Sequence, residues 1–320
     1  MIKVGLIGNP NCGKTTLFNA LTGSHQYVGN WSRVTVERKS GYLKFDSYNI
    51  EIVDLPGIYN LSVASLEGSI DERIAAEYLL TRETQVIVNV LDANNLERGL
   101  YLTTQLLELN IPIIIVVNMM DVAKRRQIII DLPKLAAATG CKVITTIANK
   151  KEGLEELKKS IVASISLSNL NKSNNLVVYP DEINKALETI SSHLSNSDKY
   201  FRAIRLLEDD VLVRQIETPK ILSLIENIKT NIKSSLREDI DILMADARYG
   251  AIHRLIEHIV DKTGFKKNTT TAYIDRLVLN RVSGLPIFFA IMYAMFYLAI
   301  KIGGIFQKFF QSSSREFSFN

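Results

Sequence analysis

The chain of 320 residues has only two cysteines, Cys12 and Cys141, far apart and without metal-ligand spacing. That excludes a disulfide framework and points to a reducing compartment. Its four histidines also lack ligand spacing. No charge of one sign dominates: Lys and Arg number 38 against 34 Asp and Glu, interspersed, for a net charge of +4. Such mild basicity is no nucleic-acid footprint, so no nucleic-acid partner is expected. The N-terminus has a short apolar run, Ile2 to Ile7, leading straight into a glycine loop. It lacks the basic start, longer apolar core and small-residue cleavage site of a signal peptide. Internal repeats and low-complexity tracts are absent.

What is present is 47% hydrophobic residues over a length that suits roughly two domains. Up to about residue 165, short β-rich runs alternate with helical ones. Strands are expected at 2–7, 42–45, 50–54, 86–91, 111–117 and 142–146, and helices at 14–21, 71–80, 100–107, 132–139 and 153–164. This alternation predicts a mostly parallel sheet covered on both faces. A stretch rich in Ser, Asn and Lys (166–176) reads as a linker.

Beyond the linker the pattern is helical, over 181–194, 198–208, 219–236 and 239–262. Pro180, Asp181 and Glu182 suit a helix start. In the last run Ile242, Leu243, Ala247, Ala251, Leu255, Ile256 and Ile259 form an amphipathic stripe. The chain therefore divides into an α/β domain (1–165), a linker (166–176), an all-α domain (177–265), a membrane-proximal segment (266–284), a transmembrane helix (285–306) and a tail (307–320). The apolar run from Leu285 through Phe306 reaches the roughly 20 residues that span a bilayer, provided Lys301 snorkels.

Three motifs carry chemistry, in an order that strengthens each. Gly8-Asn9-Pro10-Asn11-Cys12-Gly13-Lys14-Thr15 matches G-x-x-x-x-G-K-[ST] between a predicted strand and a predicted helix. In that context backbone N–H groups wrap a phosphate and the helix N-terminus adds its positive end. Lys14 supplies a point charge, and the Thr15 hydroxyl is a ligand for Mg²⁺. Asp54-Leu55-Pro56-Gly57 ends a strand, where Asp54 reaches Mg²⁺ through water and the Gly57 N–H senses a γ-phosphate. Asn118-Met119-Met120-Asp121 ends another strand. There Asp121 can accept from guanine N1–H and its 2-amino group, donors that adenine lacks.

Thr35, between the first two motifs, is placed to close over Mg²⁺ and the γ-phosphate. Thr146, Ile147 and Ala148 sit where a backbone N–H would meet the guanine carbonyl. The expected nucleotide contacts are thus Asn9, Asn11, Cys12, Gly13, Lys14, Thr15, Thr16, Gly57, Asn118, Met119, Asp121, Thr146, Ile147 and Ala148. Mg²⁺ is expected on Thr15, Thr35 and Asp54, and Lys14, Thr35 and Asn11 are the candidate catalytic residues. After Gly57 come Ile58 and Tyr59, where many GTPases carry a water-orienting glutamine, so turnover is expected to be slow. Cys12 reads as a small filler.

These residues, extended by Thr16-Leu17-Phe18-Asn19-Ala20-Leu21-Thr22-Gly23, Gln26-Tyr27-Val28-Gly29-Asn30-Trp31, Val34-Thr35-Val36-Glu37, Ile58-Tyr59 and Asp92-Ala93-Asn94-Asn95-Leu96-Glu97-Arg98, resemble the bacterial ferrous iron transport protein B family. The segments Ile274-Asp275-Arg276-Leu277-Val278-Leu279-Asn280-Arg281 and Gly284-Leu285-Pro286 resemble the approach to that family's first membrane helix. The resemblance implies a P-loop GTPase domain, a helical domain that slows GDP release, and a permease in a bacterial inner membrane with the first two parts cytoplasmic. It also implies potassium activation, with Asn11 and the carbonyls of Gly29 and Trp31 as ligands, and leaves self-association open. Ser32-Arg33 replaces the family's usual Pro-Gly, and Ile147 its usual Ser. One apolar run cannot make an ion path, so the permease is expected from a longer chain or a separate one. Two other readings fit the motif order: a nucleotide-sensing switch with negligible turnover, and a ribosome- or RNA-associated GTPase.

Overall fold

The computed structural model describes residues 2–23, 26–31, 36–63, 65, 69–166, 176–194, 198–261, 277–278, 280 and 283–316, with side chains of the last helix described to Lys301. Thr35 and Ser32-Arg33, most of the linker, and most of the membrane-proximal segment lie outside the described residues.

The first strand, β1 (Ile2–Gly8), is followed by α1 (Lys14–Thr22), β2 (Gln26–Asn30), β3 (Glu37–Phe45), β4 (Tyr48–Asp54), α2 (Ile70–Leu80), β5 (Val86–Asp92), α3 (Leu96–Leu107), β6 (Ile113–Asn118), α4 (Met120–Arg125), β7 (Ile129–Ile130), α5 (Leu132–Thr139), β8 (Lys142–Thr145) and α6 (Leu154–Ser166). Seven strands form one sheet in the order β2-β3-β4-β1-β5-β6-β8. Strands β4, β1, β5, β6 and β8 run parallel, and β3 and β2 are antiparallel at one edge. The parallel strands are near-continuous apolar runs because helices cover both faces. Ile7, Val53, Ile87, Leu91, Ile115 and Val117 face one core with α2, α3 and α5. Val4, Leu6, Ile50, Ile52, Val88, Val116 and Ile144 face the other with α1 and α6.

The register matters for function. Leu6 pairs with Asp54, Gly8 with Val90, Asp92 with Asn118, and Val117 with Thr145. All the motif-bearing loops therefore leave the same carboxyl edge of the sheet, where open α/β sheets bind ligands.

The second half is helical: α7 (Asp181–His193), α8 (Lys199–Leu207), α9 (Val211–Arg214), α10 (Pro219–Leu236) and α11 (Ile240–Ile259). Pro219 at the first turn of α10 costs nothing, since its missing N–H would have no helical acceptor there. The apolar stripe on α11 differs from the periodicity reading. Ile242 is exposed, and the buried face runs through Met244, Arg248, Ala251, Ile252, Leu255 and Ile259. A buried arginine interrupts the hydrophobic periodicity, which shifts the apparent stripe.

Helix α11 also ends earlier than expected, because Val260–Asp261 forms β9, antiparallel to β7. The Asp131 N–H donates to the Ile259 carbonyl at 2.8 Å, so the far end of the helical half is tied to the α/β half between β7 and α5. The short elements α4, α9, β2, β7 and β9 are absent from the sequence reading. Each is too brief, or too dependent on a distant partner strand, for periodicity to show.

Residues 265–320 form a separate compact unit. Its helix α12 (Gly284–Glu316) runs beyond the expected span of 285–306. Gly284–Lys301 has a mean hydropathy of 1.7 and is apolar and long enough to cross a membrane.

Candidate functional site

The phosphate loop links β1 to α1. Asn11 and Gly13 both adopt positive φ, 65° and 87°. At Gly13 this conformation, and the space, demand glycine, because a Cβ would lie 2.3 Å from Asn118 Nδ2. That near contact exists because the Asn118 amide donates to the Cys12 carbonyl at 3.0 Å. The other end of the same side chain, Oδ1, accepts from the Thr146 hydroxyl and the Ala148 N–H, each at 3.1 Å. One buried asparagine thus fastens together the phosphate loop, the end of β6 and the loop after β8.

Cys12 is buried, and burial pushes its thiol up to about 11. It is neutral and inert, the filler expected from the sequence. Thr15 and Thr16 stand exposed in the first turn of α1.

Lys14 and Asp54 are both buried and form an ion pair. Burial raises the Asp54 pKa, opposed by the Lys14 charge and by hydrogen bonds from Lys14 and Thr15. Leu6↔Asp54 pairing brings this carboxylate to the mouth of the phosphate loop. Oxygen donors from a hydroxyl and a carboxylate suit a hard cation such as Mg²⁺, so the described part of the predicted metal set fits. The loop after Asp54 lies on the phosphate loop: Ile58 N–H donates to the Gly8 carbonyl at 3.2 Å, and a Cβ on Gly57 would be 3.1 Å from Pro10 Cα.

Met119, at φ 62°, turns the chain into α4 and sets Asp121 in that helix's first turn. The Asp121 carboxylate is partly exposed and 3.5 Å from Arg125. The loop at 146–148 corrects one expectation. Its three N–H groups are all engaged within the protein: Thr146 with the Val117 carbonyl, Ile147 with that of Glu152, and Ala148 with Asn118. In this conformation none of them is free for a guanine carbonyl.

The predicted potassium ligands are not brought together. Gly29 lies in β2, paired with Arg38 of β3, and both β3 and β4 stand between it and β1. At about 4.8 Å per strand this is roughly 14 Å of sheet. The Trp31 N–H donates to the Val36 carbonyl, and its ring packs edge-on against Tyr78. Asn11 alone of the three is in the phosphate loop, so the residues as arranged do not fit a potassium site.

Several contacts have no signature in the motifs. Gln105 of α3 accepts from Leu61 N–H and donates to Asn60, at 2.8 and 2.6 Å. Asp210 accepts from the Val63 N–H at 3.1 Å while capping α9 through Leu212 and Val213. The loop after Gly57 is therefore held at its far end by the helical half. Glu108, Arg205, Glu208 and Arg248 form a buried charge cluster between α3, α8 and α11, joined by the Tyr179 hydroxyl at 3.0 Å from Glu108. A charged residue inside the apolar period of α11 is the one sequence signal that could have revealed it.

Residues 2–161 match the family of ferrous iron transport protein B, and residues 179–261 match the FeoB cytosolic helical domain. The Fe(2+) transporter FeoB of Legionella pneumophila (strain Lens) is 46% identical over 313 residues, and that of Salmonella typhimurium is 38% identical over 320. These alignments take in 97% and 98% of this chain but 40% of each relative, so the chain spans well under half their length. The solved cytosolic domain of L. pneumophila FeoB is 40% identical, with a TM-score of 0.70, covering 81% of this chain and 99% of that one. A GDP-bound mutant of the S. thermophilus FeoB G-domain is 38% identical, with a TM-score of 0.75, covering 82% of this chain and 100% of that one. With a nucleotide-type phosphate loop at the carboxyl edge of its sheet and both of the family's cytosolic domains in order, the chain belongs to the ferrous iron transport protein B family.

Proposed function

We propose that this chain binds GTP and hydrolyses it to GDP and phosphate, as the cytoplasmic regulatory part of a bacterial ferrous iron transporter. The observation that carries the reading is Asn118. Its side chain ties the phosphate loop and the loop after β8 to the strand end that leads into Asp121, so the carboxylate that would read guanine and the groups that would hold phosphate belong to one site.

In this reading the phosphate loop N–H groups wrap the β-phosphate, and Lys14 exchanges the Asp54 carboxylate for the β- and γ-phosphate oxygens. Thr15 and Asp54 would hold Mg²⁺, which when bound offsets the charge on those oxygens. Asp121 accepts from the guanine edge. Water attacks the γ-phosphorus in line, the bond to the β–γ bridging oxygen breaks, and GDP leaves while the water's proton ends on phosphate. Ile58, almost wholly buried and apolar, stands where other GTPases orient that water. No side chain at this position can do so, and slow turnover follows. No step runs through potassium, because Gly29 lies in the edge strand β2 and Trp31 packs in the core against Tyr78.

The buried Ile58 also favours a second reading, a switch that senses nucleotide without turning it over. Phosphate release by the full chain in detergent, with Lys14→Ala as control and KCl compared with NaCl, separates the two. Turnover lost in Lys14→Ala supports the GTPase. Saturating GTP binding with no phosphate released supports the switch. Stimulation by KCl over NaCl would show that 26–31 leaves β3 during the cycle; equal rates would match the arrangement seen here.

A further inference from the structure

Helix α3 grips the loop after Gly57 at two places. Gln105 holds Asn60 and Leu61 from a buried position. Two helical turns earlier, on the same face, the Arg98 guanidinium lies 3.9 Å from the centroid of the Tyr59 ring. The Arg98 carbonyl also accepts from Asn9 Nδ2 at 3.3 Å. One residue therefore touches the phosphate loop through its backbone and the loop after Gly57 through its side chain. Ile58, next to Tyr59, buries its side chain in the core and donates its N–H to Gly8, so it anchors the chain without reaching the nucleotide side. Arg98 is exposed and makes no ion pair among the described residues, so core stability does not account for its placement.

We propose that Arg98 is a positioning residue for hydrolysis: its cation–π contact with Tyr59 holds the Gly57 N–H in place for the γ-phosphate. This rests on the GTPase reading above. GDP has no γ-phosphate, so the contact should act on turnover and leave GDP affinity alone. Exposed cation–π pairs have effects of about two- to fivefold. The contact needs a cation and a π face, so Tyr59→Phe should keep it and Arg98→Lys should keep part of it.

The test measures single-turnover hydrolysis, KM and GDP affinity for the full chain in detergent. Arg98→Ala and Tyr59→Leu should each lower the hydrolysis rate about two- to fivefold, with KM and GDP affinity unchanged. Tyr59→Phe should match the native chain, Arg98→Lys should fall between, and the Arg98→Ala/Tyr59→Leu double variant should be no slower than either single. Unchanged hydrolysis in Arg98→Ala, multiplicative losses in the double variant, or a parallel loss of GDP affinity would overturn the proposal. If the native chain binds GTP without turnover, the GTPase reading fails first. The contact is then judged by release of GTPγS, which Arg98→Ala should speed about two- to fivefold while GDP release stays the same; equal release of both would sink it.

Discussion

In the proposed reading base choice falls to Asp121, a single carboxylate in the first turn of a six-residue helix, whose partner in the structure is the exposed Arg125. Guanine offers it two donors. Xanthine replaces the 2-amino donor with a carbonyl acceptor, which an asparagine amide can satisfy. Asp121→Asn should therefore weaken GTP binding by about a hundredfold or more and strengthen XTP binding. Equal losses for both nucleotides would remove Asp121 from base recognition. The placement of Asp121, Lys14, Thr15, Asp54 and Asn118 at the carboxyl edge of the sheet was readable in the sequence because each belongs to a short motif at a strand end, where local spacing sets position. That of Gly29 and Trp31 was not. Their place depends on whether 26–31 pairs with β3, a non-local choice that the residue identities leave open.

At the scale of elements, the instructive case is α11. Periodicity revealed the helix and Ala251, Leu255 and Ile259 of its buried face, but took in the exposed Ile242 and missed Arg248, a charged residue on that face. That arginine is tolerated only because Glu108 comes from α3 and Glu208 from the end of α8, and the two carboxylates hold its charge at full strength. Burial in turn raises the Glu108 pKa against the pull of Arg248 and Arg205. Removing one member leaves charge buried without compensation. Arg248→Met should destabilise the native state by about 3–5 kcal/mol, and adding Glu108→Gln should recover part of that loss. Urea unfolding measures both. A single-variant effect under about 1 kcal/mol would mean that water already screens the cluster. No motif announces this cluster, since its members are spread from α3 to α11 along the chain.

For the whole molecule, residues up to Gly264 form one compact unit and residues from Phe265, which carry the apolar helix α12, form another. The described part of α12 buries no side chain and shows Phe288, Phe289, Tyr293, Phe296 and Tyr297 to the outside, with the Lys301 ammonium 5.2 Å from the Tyr297 ring. The full chain should float with phospholipid vesicles and resist carbonate extraction, whereas a chain ending at Gly264 should stay in the soluble fraction. Flotation of both would move membrane binding away from α12.

The sequence by itself determined the α/β class, the order of the phosphate and base motifs, and the apolar C-terminal run. These depend on contacts between near neighbours and on the period of apolar residues, which are written along the chain. Only the tertiary structure decided that Asn118 also reaches Thr146 and Ala148 after β8, that Val63 is held by Asp210, that Arg98 reaches both Asn9 and Tyr59, and that Gly29 sits in an edge strand paired with β3. Each joins groups distant along the chain or turns on the pairing of an edge strand, and which groups meet is set by how strands pair and helices pack.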